Sequence, residues 1–279
     1  MNKTLRHHLD RFRRGMEQIT DQAGAVMHRK LVRGRPVQPF DGSPRLAIVT
    51  VNYSTTRWLK LMLLTLSTQE CLDRVTDIMI VDNDSRDGAE ELKNALRGRV
   101  PGIQWIDNRY FLNHARGVRL GMAALDKLPS TANVILAIDT DVLFLRHDTL
   151  CALMREFEKG AVLAGEMRHG IYEVHEAQAS FVAFRRDVYA RPQVAPWVNH
   201  GAPSYWMQRS IRRLGLPVSD FRSYEQLYAL HRGRGGVSAA GQFRPHSSYA
   251  SVTANQPHYM GVPDGEQRWQ SVENNWLAL

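Results

Sequence analysis

Between residues 46 and 138 the chain alternates strand-like and helix-like patterns, and this alternation limits its fold more than any other feature. Four short runs are rich in apolar and β-branched residues, and the apolar residues between them recur at helical spacing. Strands that alternate with helices predict an α/β domain whose mostly parallel sheet carries helices on both faces. The predicted strands are residues 46–53, 77–81, 103–106 and 133–138, and the predicted helices are residues 56–66, 89–96 and 113–125.

Polar residues follow each of the four predicted strands. They lie in the segments 50–53, 82–87, 108–116 and 139–141. The carboxyl ends of parallel strands meet at one edge of a sheet, and open α/β sheets bind their ligands beyond that edge. We therefore expect these four segments to gather at one edge and to form the ligand site.

Two carboxylates interrupt an apolar run in "NVILAIDTDVLFL", residues 133–145. Asp139 and Asp141 follow a predicted buried strand and are separated by a single residue. A buried carboxylate is costly unless it is paired, hydrogen-bonded or bound to a cation. The pattern therefore indicates a positive group between them, and an acidic pair that caps the next turn is the alternative.

After residue 150 the patterns are weaker. We predict a helix at 149–158, strands at 161–164 and 179–186, and a helix at 203–215. The glycine-rich stretch 231–236 is predicted to be a flexible loop. Residues 237–279 are polar and are predicted to form an irregular tail.

The positive charge of the chain is concentrated at its beginning. The formal net charge is +8, and residues 1–35 hold nine Lys or Arg against three acids. The nearly neutral remainder argues against a nucleic-acid-binding domain. Apolar residues in the first segment recur at helical spacing, which predicts a basic amphipathic helix. Contact with an anionic membrane surface is one interpretation, and packing on its own domain or on a second copy are the others.

The two cysteines are too few for a disulfide framework. We predict that Cys71 and Cys151 are free, small, buried residues in a reducing compartment. The sequence has no apolar run long enough to cross a bilayer and no signal-peptide core at its N-terminus. These features predict a cytoplasmic protein, with peripheral contact at the inner face of the membrane as an option through residues 1–35.

Three segments together resemble a known family. "IMIVDNDSRDG", "NRYFLNHARGVRLGMAAL" and "ILAIDTDV" are similar, in order and spacing, to motifs of the GT-A-fold, nucleotide-sugar-dependent glycosyltransferases, in particular the inverting family 2. The resemblance is close over residues 45–150 and loose over 151–236. It implies a Rossmann-like GT-A domain at 45–236, with a nucleotide-binding half at 45–150 and an acceptor half at 151–236. The resemblance does not extend before residue 45, and residues 1–44 are predicted from their own pattern to be a basic amphipathic helical arm and a linker.

The resemblance implies a divalent cation, Mn²⁺ or Mg²⁺, beside the diphosphate of the donor. In the family the second Asp of an Asp-X-Asp motif usually binds the metal, while the first contacts the ribose or the metal through water. These roles fall on Asp141 and Asp139, and His231 matches a late metal ligand of several such enzymes. A divalent cation held by oxygen ligands neutralises the charge that develops on the departing diphosphate.

The resemblance also implies contacts with a UDP-, GDP- or dTDP-linked sugar. Asp82 matches a residue that binds the base or ribose, although an Asx turn is an alternative, and Asp84 is the better turn former. Arg116 matches a residue that faces the diphosphate, and a solvated helical Arg is the alternative. Arg232 would supply positive charge near the diphosphate, and a disordered basic loop at 231–236 is the alternative. The remaining predicted contacts are Thr50 and Tyr53 beside the base, and Asn52, Asn83 and Thr140.

The predicted mechanism lacks one residue that the family usually supplies. Inverting transfer needs a base to accept the proton of the acceptor hydroxyl. The family usually places an Asp or Glu just before a helix, but this chain has Ser204 or Tyr205 there. His200 is our first candidate for the base and Glu166 is the second. The difference leaves open a retaining or degenerate enzyme.

The sequence therefore predicts a glycosyltransferase that moves a hexose to a hydroxyl of a saccharide or lipid-linked acceptor. The resemblance alone implies that the reaction is inverting. Cell-envelope polysaccharide, glycolipid or glycoprotein synthesis would use such a reaction. Two alternatives remain. One is a non-catalytic sugar- or nucleotide-binding protein with the same fold. The other is a phosphatase that resembles the haloacid dehalogenases, with "DTDVLFL" as its catalytic motif.

Overall fold

The computed structural model describes residues 39–100, 102–109, 113–168, 176–198, 203–233 and 257–277, together with positions 19 and 23. The predicted basic helix within residues 1–35 lies outside this set, apart from those two positions. Among the helices that the structure describes, none is long and apolar enough to cross a membrane.

The fold is α/β, as the alternating pattern predicts. The described strands are β1 Leu46–Asn52, β2 Val75–Asp82, β3 Ile103–Asp107, β4 Val134–Ile138, β5 Val142–Phe144, β6 Leu163–Arg168, β7 Glu176–Arg185, β8 Val218–Asp220 and β9 Ala229–His231. The described helices are α1 Thr56–Leu66, α2 Ala89–Leu96, α3 His114–Leu125, α4 Thr149–Glu158, α5 Arg186–Tyr189, α6 Tyr205–Arg213 and α7 Gly265–Leu277.

Seven of these strands form one sheet in the order β3-β2-β1-β4-β7-β6-β8. Strands β1 to β4 are parallel to one another, and β7 pairs with β4 in the antiparallel direction. All seven residues of β1 are buried, as expected for a central strand covered on both faces. The register places Asn52 beside Asp82 and Asp82 beside Asp107, so the strands end at a common edge.

Apolar side chains cover both faces of the sheet. One buried cluster packs α1 and α4 on one face, and a second packs α3 and α6 on the other. Glycines let α3 approach the sheet closely. A Cβ added at Gly117 would lie 2.7 Å from both methyl groups of Val51, and one added at Gly121 would lie 2.6 Å from a methyl group of Val49. The close packing fixes the N-terminus of α3 against the sheet edge.

A second, two-stranded sheet joins β5 to β9, and a third apolar cluster covers it. This cluster includes Leu143, Leu230, Tyr259 and Trp269, and it ties α7 to the body of the protein. An ion pair of 2.7 Å between Arg57 on α1 and Glu273 on α7 supports the same contact. The C-terminal residues are therefore part of the folded domain.

The structure corrects three sequence predictions. The tail predicted to be irregular contains α7, whose buried Trp269 anchors an otherwise polar helix. His231 ends strand β9 instead of belonging to the loop predicted at 231–236, and residues 234–236 of that loop lie outside the described residues. Cys71 and Cys151 form a disulfide, with a Cα–Cα distance of 5.6 Å. Their spacing of 80 residues gave no sign of this proximity, which arises because α4 returns beside the end of α1.

Candidate active site

Two carboxylates and an imidazole meet at the carboxyl edge of the central sheet. One ligand atom from each of Asp139, Asp141 and His231 lies within 4.8 Å of the others. The Nε2 atom of His231 is 3.2 Å from Asp141 Oδ1 and 3.7 Å from Asp139 Oδ2. Asp141 and His231 are buried and Asp139 is partly exposed, so the cluster opens toward solvent on the Asp139 side.

Strand pairing brings His231 to the carboxylates. Asp139 and Asp141 occupy the connection between β4 and β5, and the register of the small sheet places Val142 opposite His231. The backbone N–H of Arg232 donates to the Asp141 carbonyl over 2.9 Å. On the other side, the N–H of Asp139 donates to the Ser180 carbonyl of β7. Backbone hydrogen bonds thus fix all three residues.

Charge interactions outweigh burial in this cluster. Burial raises the pKa of Asp139, but the charge and hydrogen bond of His114 and the charge of His231 hold that pKa below its ordinary value. Burial likewise lowers the pKa of His231, but Asp141 and, to a smaller extent, Asp139 raise it above the ordinary value. The two carboxylates therefore favour a positive charge at this position, as they would favour a bound cation.

The three groups fit a divalent cation chemically. Carboxylate oxygens are the ligands that Mg²⁺ and Mn²⁺ prefer, and imidazole nitrogen adds a softer donor. The Nδ1 atom of His231 is buried and has no hydrogen-bond partner among the described residues, so Nε2 is the nitrogen that faces the two carboxylates. A site with three protein ligands leaves coordination positions for phosphate oxygens and water.

His114 contacts this cluster and was missed by sequence reasoning. Its Nε2 atom lies 3.0 Å from Asp139 Oδ1, and its ring centroid lies 5.9 Å from that of Trp197. It is the first residue of α3, after Asn113, whose side chain accepts the N–H of Arg116 and caps the helix. The sequence feature that could have identified His114 is a helix-capping Asn followed by His, in a segment expected at the sheet edge.

A hydrogen-bond network joins the ends of β1 and β2. Asn52 is fully buried and donates to Asp82 over 2.8 Å and to the Thr56 hydroxyl over 2.9 Å. The second Asp82 oxygen accepts the N–H of Ser85 over 3.0 Å. Burial raises the pKa of Asp82 above its ordinary value, although the bonds from Ser85 and Asn52 oppose the shift.

The same network continues to the other polar segments. The hydroxyl of Thr140 lies 2.7 Å from that of Thr55. The side chain of Asn83 accepts from Asn108 over 2.6 Å. With the contacts of Asn52 and His114, these bonds link all four segments, and the expectation that they gather at one edge of the sheet is confirmed.

Other predicted nucleotide contacts differ in accessibility. Thr50 is fully buried within β1, whereas Tyr53 and Arg116 are partly exposed at the edge. Asp84 has a left-handed backbone with φ 53°, as expected for a turn former, and lies 3.7 Å from the Arg86 guanidinium. The structure therefore brings Tyr53, Arg116 and Asp84 to the surface near the edge, while the Thr50 side chain points into the core.

Arg232 lies against the C-terminal segment. Its guanidinium is 4.3 Å from the centroid of the Trp58 ring. It also lies near the Tyr259 hydroxyl, where its charge opposes the rise that burial causes in the pKa of Tyr259. Its carbonyl accepts the N–H groups of His258 and Tyr259. Gly233, with φ +76°, leaves room for His258, since an added Cβ would lie 2.3 Å from His258 Nε2. Arg232 is thus beside the metal-ligand cluster but is held by aromatic rings.

Of the two candidate bases, Glu166 lies among the described residues. Glu166 is partly buried, and its Oε2 atom accepts backbone N–H groups from Tyr224 and Glu225, the second at 3.3 Å. Burial raises its pKa above the ordinary value, although those hydrogen bonds oppose the shift. The Tyr224 ring stacks on His231 at 6.0 Å, so Glu166 braces a loop that contacts the cluster. His200 lies outside the described residues.

Comparison with known proteins identifies the fold. No family model matches the chain, and no curated protein matches its sequence. Among solved structures, the mannosyltransferase PcManGT from Pyrobaculum calidifontis, in complex with GDP-Man and Mn²⁺, has a TM-score of 0.52 at 13% identity, over 94% of this chain and 85% of that one.

Two other solved structures are similar over smaller parts. TarS 1–349 from S. aureus, in complex with UDP, has a TM-score of 0.45 at 9% identity, over 60% of this chain and 54% of that one. Glucosyl-3-phosphoglycerate synthase from Mycobacterium tuberculosis has a TM-score of 0.47 at 13% identity, over 70% of this chain and 71% of that one. The chain thus spans about half the length of the TarS structure. The extended match to PcManGT, with the sheet described above, confirms that this chain has the GT-A fold.

Proposed function

We propose that this protein is a glycosyltransferase that moves a sugar from a nucleotide diphosphate to an acceptor hydroxyl with the help of a divalent cation. The observation that carries the proposal is the cluster of Asp139, Asp141 and His231 at the carboxyl edge of a GT-A sheet. A metal-ligand set at this edge suits a donor whose diphosphate needs charge neutralisation.

The donor side of the proposal rests on the polar network. Asp82 and Asn83, fixed by Asn52 and Asn108, offer acceptors and donors for a base or ribose. PcManGT was solved with GDP-Man and Mn²⁺, and we carry over from it the class of ligand. The remaining proposed contacts are Tyr53, Asp84, Arg116, Thr140 and Arg232. Thr50 was also predicted as a contact, but its fully buried side chain would support the end of β1 and would not touch the ligand.

The cation is proposed to bind Asp141 and His231, with Asp139 toward the ribose and the outer coordination shell. A nitrogen ligand beside two carboxylates favours Mn²⁺ over Mg²⁺. When bound, the cation would neutralise charge on the diphosphate leaving group. His114 holds Oδ1 of Asp139, which leaves the other oxygen directed toward His231 and the cation position.

The acceptor side is assigned to residues 151–236, and the donor side to 45–150. In an inverting reaction the acceptor oxygen bonds to the anomeric carbon, the bond to the diphosphate breaks, and a base takes the hydroxyl proton. We assign the base to His200, because imidazole exchanges protons near neutral pH. Glu166 is the weaker candidate, because its Oε2 atom already accepts hydrogen bonds from a loop.

A thermal-shift titration with UDP, GDP and dTDP, with and without Mn²⁺, tests donor binding. One nucleotide should stabilise the full chain only with metal, by about 2.7 kcal/mol at a hundredfold excess over its Kd. Asp141→Asn should remove this stabilisation, whereas Asp73→Asn, at an exposed position far along the chain from the cluster, should retain it. Absence of any nucleotide response would contradict the proposal and favour the phosphatase alternative.

Catalysis is tested separately from binding. Hydrolysis of the matching nucleotide sugar by wild type, and its loss in Asp141→Asn, would establish an enzyme. If His200→Ala retains full transfer to the acceptor, His200 is not the base. Metal-dependent binding without hydrolysis or transfer would identify the non-catalytic alternative.

A further inference from the structure

Helix α6 presents an unusual outer surface. All its charged residues are arginines, at positions 209, 212 and 213. Trp206 at its first turn is 37% exposed, and Leu214 just after its end is 40% exposed. These are two of the four exposed large apolar side chains among the described residues. We name this surface, formed by Trp206, Arg209, Arg212, Arg213 and Leu214, the α6 face.

The other side of the helix is firmly anchored. Met207 and Ile211 are fully buried in the apolar cluster below the sheet. Gln208 accepts the N–H of Ala177 over 2.7 Å and donates to the Ala177 carbonyl over 2.8 Å. These contacts fix the helix rotation, so the α6 face cannot turn inward to bury its apolar residues.

The charge on the α6 face is uncompensated within the described part of the chain. None of the three arginines forms an ion pair with a described acid, and Arg209 lies 5.4 Å from the centroid of the Trp206 ring. The last two arginines also suit the negative end of the helix dipole. That effect does not explain Arg209 or the two exposed apolar residues, which together form a basic amphipathic surface.

The position of the helix links this surface to the proposed acceptor. Helix α6 begins shortly after the segment that contains Trp197, whose ring lies 5.9 Å from that of His114. His114 in turn contacts Asp139 of the metal-ligand cluster. Helix α6 is tied to this segment, since the N–H of Ala195 donates to the Ser210 hydroxyl over 3.0 Å, and it belongs to residues 151–236, the part of the chain proposed to bind the acceptor.

We propose that the α6 face docks on a membrane surface that contains anionic lipid. Arginines attract anionic headgroups, and exposed Trp and Leu side chains insert at the boundary between headgroups and acyl chains. Docking through this face brings a lipid-linked acceptor toward residues 151–236, the part of the chain that is proposed to bind it. The last step rests on the proposed function, whereas docking itself does not.

Vesicle co-sedimentation of the full chain, without nucleotide or metal, tests the docking. One probe is a vesicle of phosphatidylcholine alone. The other is a vesicle of phosphatidylcholine with about 30% phosphatidylglycerol, whose anionic headgroups attract basic segments. Wild type should bind the anionic vesicles selectively. The variant R209Q/R212Q/R213Q should bind about a hundredfold more weakly, from about 1 kcal/mol for each basic residue at the surface.

A matched variant controls for total charge. R97Q/R99Q/R155Q removes three exposed arginines elsewhere on the described surface and should bind nearly as wild type does. Circular dichroism confirms that both variants are folded. Equal binding by the α6 variant and wild type would overturn the proposal and assign vesicle binding to another segment, such as residues 1–35.

Two further outcomes separate the membrane proposal from the proposed transferase function. If wild type binds neither vesicle but transfers sugar to a water-soluble anionic saccharide in an α6-dependent way, the surface binds that saccharide and the membrane proposal is wrong. If anionic vesicles are bound through α6 but no nucleotide binds, docking stands and the proposed transferase fails. The two proposals therefore fail separately.

Discussion

Asp87, in the turn after β2, caps the N-terminus of α1, which lies about 30 residues earlier in the chain. Its replacement tests how much this cap contributes to stability. Thr55 occupies the N-cap position of α1, but its side chain makes no capping hydrogen bond. Asp87, from the turn after β2, accepts the Thr56 N–H over 2.7 Å and the Thr56 hydroxyl over 2.6 Å. One carboxylate thus supplies the missing cap and ties the turn to the helix.

The size of the effect follows from these contacts. Asp87→Asn keeps the side-chain volume but removes the charge and replaces one acceptor by a donor. A hydrogen bond to a charged group contributes about 1.5–3 kcal/mol, and a negative charge at a helix N-terminus about 0.3–1 kcal/mol. Asp87 is partly exposed, which favours the lower end of both ranges. We expect the variant to lose about 2 kcal/mol of unfolding free energy.

Urea denaturation followed by circular dichroism measures the loss. Asp73→Asn, at an exposed position, should change the unfolding free energy by less than about 0.5 kcal/mol. In a cycle with Thr56→Val, the two substitutions should be non-additive by about 1 kcal/mol, because they share a hydrogen bond. Additive effects, or a loss below about 0.5 kcal/mol for Asp87→Asn, would refute the capping argument.

Three other changes test the packing and electrostatics. Gly117→Ala should lower the unfolding free energy, measured in urea, by about 1 kcal/mol and at most about 2 kcal/mol, since crowding against Val51 costs about 1–3 kcal/mol and helix propensity returns about 1 kcal/mol. Burial raises the pKa of Glu176, so ionisation costs stability; relative to Glu176→Gln, wild type should become less stable as pH rises from about 4 to about 7. Replacing Cys71 and Cys151 by Ser should cost about 4 kcal/mol, as expected for a bridge across 80 residues, and dithiothreitol should destabilise only wild type.

The sequence was most informative where local pattern and tertiary packing agree. The helices predicted at 56–66, 89–96 and 149–158 have those bounds in the structure. The helices at 56–66 and 149–158 combine a buried apolar stripe with a polar face, and in the helix at 89–96 the partly buried Leu92 and Leu96 pack against the same cluster. The pattern that forms each helix is therefore also the pattern that packs it. The first four strands were found for a similar reason, since continuous burial leaves continuous apolar runs.

Short elements were missed because distant residues determine them. Strands β5 and β9 have three residues each, and each exists only through pairing with the other across the chain. The pattern of α7 is mostly polar, and its attachment depends on Trp269 and Tyr259 packing near β5 and β9. Sequence periodicity carries little information about elements of this length or polarity.

The residues of the candidate site also differ in how far the local sequence reveals them. Asp139 and Asp141 stand out locally, because two carboxylates interrupt a buried strand. His114 does not stand out, since an exposed helix-terminal His is ordinary until the sheet register brings it to Asp139. Its importance depends on the parallel pairing of β1, β2 and β4 and on the packing of α3 against that sheet.

The metal-ligand cluster is therefore assembled by the C-terminal part of the fold. Asp139 and Asp141 are close in sequence, but His231 reaches them only through the pairing of β5 with β9. That pair is short, and the cluster around Trp269 covers it, while Tyr224 stacks on the imidazole. Because a two-stranded sheet is marginal alone, the surrounding contacts must supply its stability. We therefore expect cation binding at the proposed site to be coupled to the attachment of α7, since each would stabilise the short strand that carries His231.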